Sequence, residues 1–165
     1  MPRPSNSKAK PKSVTGWLEH VDLPELGLFA EKAKIDTGAR TSSLHVDKIA
    51  PYIDESGAQR AVITKYVRHR GEPRQKLEWD LELHDFRKVK SSNGAVEERA
   101  VIATQLTLGG ITRRREFTLT NRKQMRYQIL VGRKGLGSLF HVNPARRFLL
   151  DPPPAGDTNP TESPS

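Results

Sequence analysis

Lys34-Ile35-Asp36-Thr37-Gly38-Ala39 is the stretch on which the reading of this chain turns. Ala33, Lys34 and Ile35 alternate apolar and polar, as a half-buried strand does. Asp36 therefore leaves the end of a strand, and Thr37-Gly38 carry the chain through a tight turn. Gly38 allows close backbone approach, and the Thr37 hydroxyl is expected to hydrogen-bond locally and fix the loop. On the tripeptide alone, an ordinary turn whose aspartate caps backbone N–H groups is the better reading.

Working outward, period-two patterns dominate. Leu77, Trp79, Leu81 and Leu83 alternate with Glu78, Asp80 and Glu82, which predicts a strand with an acidic outer face. Ile102, Thr104, Leu106 and Leu108 do the same up to Gly109-Gly110, and a further run follows from Ile111 to Leu119, so the glycine pair reads as a hairpin turn. Shorter strands are expected at Trp17–Glu19, Ala33–Asp36, Ser43–Val46, Ala61–His69, Gln128–Val131 and Arg147–Leu150. Pro24 with Gly27, Ser56-Gly57, Gly71 with Pro73, and Ser91-Ser92-Asn93-Gly94 punctuate them. A short helix around Lys134–Leu139 is the best helical candidate. The fold class is mainly β, a barrel or a sandwich. There is no internal repeat, so the chain is not a duplicated two-lobed molecule.

The 165 residues suit one domain. Residues 1–13 offer almost nothing apolar, and residues 151–165 are rich in Pro, Thr and Ser, so both ends read as disordered tails around a body at 14–150. The formal charge is +9; the first tail carries four positive charges and the second three negative ones, which leaves +8 on the body. That field attracts polyanions: nucleic acid, an acidic membrane face or an acidic peptide. The absence of cysteine excludes disulfides and thiolate metal sites and agrees with a cytoplasmic location. No apolar run approaches the roughly 20 residues of a membrane span, and the basic N-terminus lacks the apolar core of a secretory signal.

Peptide hydrolysis by carboxylates needs two of them sharing one proton, one acting as base on a water and the other polarising the carbonyl. The chain has one Asp-Thr-Gly; Asp54-Glu55-Ser56-Gly57 reads as a polar turn. A second carboxylate would have to be Asp36 of another copy, making the active species a homodimer. About ninety residues downstream, Tyr127-Gln128-Ile129-Leu130-Val131-Gly132-Arg133 is an apolar strand ending in glycine.

This pair of elements, in this order, resembles the retropepsin-like aspartic peptidases. The resemblance is closest to the bacterial family long labelled "putative ATP-dependent zinc proteases". It is carried by Gly16-Trp17, Leu23-Pro24-Glu25-Leu26-Gly27 and Lys32 to His45, then by Thr120-Asn121-Arg122, Met125-Arg126 and Ile129 to Arg133. It implies a retropepsin-like closed β-barrel with one short C-terminal helix, and Asp36 as the catalytic carboxylate. Thr37 and Gly38 would shape its loop, with Ala39 and Gly132 supporting the site. It also implies a link to ATP-grasp ligases that add glutamates to a ribosomal protein, with the peptidase trimming glutamate-tailed protein. Two departures stand out. Arg68–Lys76, where a glycine-rich flap would be sought, holds only Gly71; and Phe140-His141-Val142-Asn143 ends in Asn where the family has Asp.

The family's old label implies zinc and ATP. The five histidines (His20, His45, His69, His84, His141) show neither H-E-x-x-H nor H-x-H spacing, so no metal ligands are expected and a zinc-dependent peptidase is a minority reading. Gly132-Arg133-Lys134-Gly135-Leu136-Gly137 lacks the spacing of a phosphate-cradling loop, so no cofactor is expected. Within Arg113-Arg114-Arg115, Arg113 and Arg115 read as solvated surface. Arg40 and Arg133, near the catalytic turn, are candidates for holding a substrate carboxylate. An acidic, glutamate-rich peptide would suit both them and the basic body. The rival reading is a non-catalytic barrel binding RNA or a ribosomal surface, with Trp17, Trp79 and Tyr127 stacking bases.

Overall fold

The alternating runs become strands in the structure, a computed structural model that describes residues 13–90, 94–121 and 126–150. The strands are β1 (Ser13–Leu23), β2 (Leu28–Ile35), β3 (Ser42–His45), β4 (Lys48–Ile53), β5 (Gln59–Val67), β6 (Gln75–Glu82), β7 (Asp85–Lys90), β8 (Val96–Leu108), β9 (Ile111–Thr120), β10 (Ile129–Val131) and β11 (Phe140–Arg147). A 3-10 turn at Pro24–Leu26 and one short helix, α1 (Arg133–Leu136), complete the described elements. The expected tails lie outside the described residues, apart from Ser13, which opens β1. The Ser91–Asn93 turn and residues 122–125 of the closing block lie outside them too.

The main sheet runs β11-β1-β2-β10-β3-β9-β8-β7, and β1 also meets β8 at Asp22 and Thr107. Six strands from β1 to β8 thus form a closed ring, with β11 and β7 attached outside it. The ring encloses Leu23, Leu28, Leu44, Phe117, Leu119 and Ile129, each almost wholly shielded from water. The second sheet, β4-β5-β6, joins this core through Ala61, Ile63 and Val67, with Leu77, Trp79 and Leu81 partly buried against it. Trp79 also donates its indole N–H to the Leu26 carbonyl, so it is a packing residue with a satisfied polar tip.

Turn chemistry fixes the register. Gly109 and Gly110 both have positive φ (59° and 74°), as a two-residue hairpin turn requires, and they place Leu108 opposite Ile111. At the β4–β5 turn the Asp54 carboxylate accepts the Ser56 N–H, the Ser56 hydroxyl and the Ala58 N–H. Those hydrogen bonds, the Ser56 hydroxyl first, hold its pKa below the ordinary carboxylate value. The polar-turn reading of Asp54–Gly57 is thereby accounted for.

Three expectations need correction. The C-terminal strand is Phe140–Arg147, and not Arg147–Leu150. At Phe148 the chain turns through a positive φ of 52°, and Glu19, 1% exposed, accepts the N–H groups of Leu149 and Leu150. A buried carboxylate, invisible to hydropathy, decides where this strand ends. The helix is Arg133–Leu136 and stops at Gly137, three residues before β11 begins. Finally, β4 was not expected from the sequence, where Pro51 interrupts the run; it is an edge strand, where a missing N–H does no harm.

Candidate active site

β2 and β3 follow one another in the chain but are not neighbours in the sheet. β10 lies between them, parallel to β2 (Val131 opposite Ile35) and antiparallel to β3 (Leu130 opposite Ser43). Residues 36–41 must therefore cross the end of β10, and the contacts of that crossing define the site.

The Asp36 N–H donates to the Val131 carbonyl at 2.9 Å, continuing the ladder by one rung, and the Ala39 N–H closes the turn on the Asp36 carbonyl at 3.2 Å. The start of a helix leaves its first N–H groups without intrahelical partners. Here the loop and β3 accept them: Gly132 N–H to the Ser42 hydroxyl oxygen at 3.1 Å, Arg133 N–H to the Ala39 carbonyl at 2.8 Å, and Lys134 N–H to the Arg40 carbonyl at 2.9 Å. Helix start and loop satisfy each other, so neither holds its shape alone.

The glycines follow from the closeness of this contact. A Cβ on Gly132 would stand 2.7 Å from the Thr41 carbonyl oxygen and 2.9 Å from that of Ala39. One on Gly135 would stand 2.5 Å from Ser42 Oγ and 2.8 Å from Val131 Cγ1. The series Gly132, Gly135, Gly137, unsuited to phosphates by spacing, is in large part a packing surface. Gly132 packs against the Asp36 loop, and Ala39 meets α1 through its backbone carbonyl.

Asp36 is half-buried, while Thr37, Gly38 and Arg40 are exposed. The Gly38 N–H donates to Asp36 Oδ1 at 2.9 Å, orienting the carboxylate. Arg133 reaches across and gives a guanidinium N–H to the Thr37 carbonyl at 2.8 Å. Thr37 is thus held by its carbonyl, and among the described residues the loop is fixed by backbone groups and Arg133 in place of the expected hydroxyl bond. Arg133 braces the loop with one donor and keeps others at an exposed position.

Sequence reasoning missed Ser42, although it sits inside the Arg40-Thr41-Ser42-Ser43 run. It also misread Arg115. That side chain is half-buried and donates from Nε to the Gly135 carbonyl at 3.0 Å, tying β9 to α1. The run's alternation could have found it, because Arg113 and Arg115 share a strand face, but nothing in the sequence announced a carbonyl beneath it. Asn143, at the position where an aspartate was expected, accepts the Ala145 N–H within β11.

The loop joining β5 and β6 is not positioned to cover Asp36. His69 in that loop pairs with Glu31 at 3.1 Å, toward the opposite end of β2. The opposite end of the second sheet is the one linked to α1, through His84–Glu116 (2.7 Å) and Glu116–Lys134 (3.8 Å). The tight β4–β5 turn, beside Gln59 and Leu83, therefore belongs to the end of the molecule that carries Asp36. Histidines occur with single carboxylates, as in these pairs and in His45–Asp47 at 3.6 Å. Among the described residues no group of three or more His, Asp or Glu side chains is placed to hold a metal ion. No helix among them is long and apolar enough to cross a membrane.

A β-ring that presents one Asp-Thr-Gly loop over an inserted strand and a short helix is the build of a retropepsin-like protein. The chain belongs to the RimB-like family, described as retropepsin-like aspartic endopeptidase RimB, which matches residues 14–153. Among curated proteins it is similar to a "Probable alpha-L-glutamate ligase" of Shewanella halifaxensis, 38% identical over 141 residues, covering 84% of this chain and 30% of that protein. A protein of the same name from Parasynechococcus marenigrum is 34% identical over 138 residues, 81% of this chain and 28% of that one. The chain thus spans under a third of the curated relatives it matches. Among solved structures, a Legionella pneumophila protein of unknown function (DUF785) superposes with a TM-score of 0.69 at 27% identity, over 86% of this chain and all of that one.

Proposed function

We propose that two copies of this chain bring their Asp36 loops together and hydrolyse peptide bonds in glutamate-rich tails. The observation that carries this reading is the construction of the Asp36 loop. The carboxylate is oriented by Gly38 N–H and held at the surface by a helix start that has no other partners for its N–H groups. Such rigidity suits a reacting group better than a turn cap. With one loop per chain, the shared-proton pair needs a second copy. One Asp36, ionised, takes a proton from water as that water attacks the carbonyl carbon. The other, protonated, donates to the carbonyl oxygen. The tetrahedral intermediate then expels the amine, which receives a proton from the dyad.

The acidic substrate rests on Arg40 and Arg133 beside the loop, on the +8 body, and on the relatives' name, since a protein joining L-glutamate makes bonds of the kind this domain would cut. Asp36→Asn is nearly isosteric and should leave the thermal midpoint within a few degrees while abolishing cleavage of a polyglutamate-tailed peptide. Specific activity of the parent should fall on dilution through the dimer dissociation range. Cleavage retained by pure Asp36→Asn protein, or an active species that stays monomeric, would refute the dyad.

A further inference from the structure

At the end that carries Asp36, two sheets run past the core and their inward faces stay uncovered. In the second sheet Pro51 lies opposite Ala61 and Ile53 opposite Gln59, so strand alternation puts all four on one face. That face meets the core at Ala61, yet its last positions, Pro51, Ile53 and Gln59, are exposed. In the main sheet Val96, Glu98, Ala100 and Ile102 share a face of β8, with Phe86 of β7 opposite Ala100. Ala100 and Ile102 are core residues, whereas Glu98 and Val96 stand beyond it. Ile53 and Val96, 70% and 63% exposed, are the two barest large apolar side chains among the described residues. A cavity of about 270 Å³ opens between these faces, lined by Pro51, Ile53 and Gln59, by Phe86 and Glu98, and by Leu83 where the sheets join. Its charges are unequal. Arg60, which also lines it, is held by the Asp80 carboxylate and carbonyl, both at 3.1 Å. Glu98 has no ion pair among the described residues, not even with Lys88 opposite it, and neither has Glu55 in the turn after Ile53.

We infer that this groove holds the protein that bears the glutamate tail, through a segment with a bulky apolar side chain flanked by Lys or Arg. The inference rests on the function proposed above and adds the part of the substrate that is not glutamate. A run of glutamates is repelled by Glu98 and Glu55 and has no apolar side chain to bury, so the groove does not serve the tail itself. Tail residues are all alike; Arg40 and Arg133 can register a tail but not the protein that carries it. The cavity falls just below the roughly 300–1,000 Å³ of small-molecule pockets, which is room for side chains of a peptide. Pro51 blunts the free edge of β4 against an added strand, so recognition falls to those side chains. The groove and the Asp36 loop also share a framework. His84, next to Leu83, pairs with Glu116, Glu116 with Lys134, and the Lys134 N–H with the Arg40 carbonyl.

The test uses a labelled Lys-Ile-Lys-Phe-Lys leader peptide, which has no glutamate and needs no catalysis, in fluorescence anisotropy. Beside it, cleavage is measured for a short glutamate run placed after that leader or after Gly-Ser-Gly-Ser-Gly. The leader should bind at low salt and should lower KM for the glutamate run at least fivefold relative to the Gly-Ser version. Ile53→Ser should weaken leader binding at least fivefold, and Glu98→Gln should weaken it and flatten its fall with salt. Phe29→Ser, on a side chain 57% exposed at the opposite end of β2, should change neither. Sedimentation should be the same for Ile53→Ser and the parent. The inference is overturned if the leader does not bind at low salt, or if Phe29→Ser weakens binding as much as Ile53→Ser does. It is overturned equally if glutamates alone displace the leader, which gives the groove to the tail, or if Ile53→Ser alters sedimentation, which gives it to a second copy. Leader binding that obeys these variants without any cleavage upholds the groove and refutes the dyad.

Discussion

Replacing Gly132 by alanine isolates the contact on which the candidate site depends. Gly132 has extended backbone angles (φ −88°, ψ −176°), so alanine meets no conformational penalty there and the effect is steric. Its Cβ would lie 2.7 Å from the Thr41 oxygen, whereas ordinary contact begins at 3.4 Å. The obstacles are backbone carbonyls on the Asp36 loop, which cannot rotate away as a side-chain tip could, so the loop must rise by about 0.7 Å. Overpacking of this kind costs about 1–3 kcal/mol. For a body of this size each kcal/mol moves the thermal midpoint by roughly 3–4 °C, so a fall of about 3–12 °C is expected. Lifting the loop also lengthens the bonds from Arg133 and Lys134 to Ala39 and Arg40. Amide exchange at these positions should accelerate under conditions where the protein stays folded, and cleavage should drop on the order of a hundredfold. Scanning calorimetry with residue-resolved exchange checks the first two without relying on activity. A Gly132→Ala protein with the parent's midpoint and the parent's exchange at Arg133 and Lys134 would show that the loop does not rest on Gly132.

Three further expectations follow. Burial pushes the Lys65 ammonium down to about 8, against the pull of Asp47 and Glu31. The unfolded chain then binds the extra proton between pH 8 and its ordinary 10.5, so stability should rise with pH across that window, by on the order of 3 kcal/mol at most. Lys65→Met should lose this rise when denaturant midpoints are compared across the same pH range. Glu19→Gln keeps one acceptor oxygen and sets its amide N–H₂ against the Leu150 N–H in one orientation or the Gly16 and Leu149 N–H groups in the other, and should destabilise by about 1–3 kcal/mol; limited proteolysis should then release the segment after Arg147 first. Arg40→Ala should raise KM for acidic peptides severalfold at low salt with kcat unchanged, and added salt should erase the difference; equal KM values at low salt would remove Arg40 from substrate binding.

The ring strands were legible because one face of each is buried and the other wet, which is the condition under which alternation appears in sequence. Asp36-Thr37-Gly38 and Gly132 were legible because a tight turn and a close approach each restrict residue choice sharply. The residues that hold the site together were not. Ser42 acts through a hydroxyl on a neighbouring strand, Arg115 through a carbonyl of α1, and Glu19 through N–H groups some 130 residues away. Such polar contacts carry no periodicity, and their partners are set by topology. The nearness of Arg133 to the loop was legible, while the Thr37 carbonyl that takes one of its donors was not.

The three-residue strand β10 also has a consequence for synthesis. It slides between two strands made about ninety residues earlier, and the loop above it gains its bed only when Val131 to Lys134 have arrived. Contacts of such long sequence separation form late, because the entropy of closing a long loop must be met first. While the chain emerges from the ribosome, Asp36 is exposed early yet lacks the scaffold that orients it. A nascent chain interrupted anywhere before residue 129 would carry the carboxylate without the bed beneath its loop. Assembly order thus delays the ordered Asp36 loop until translation of the domain is nearly finished.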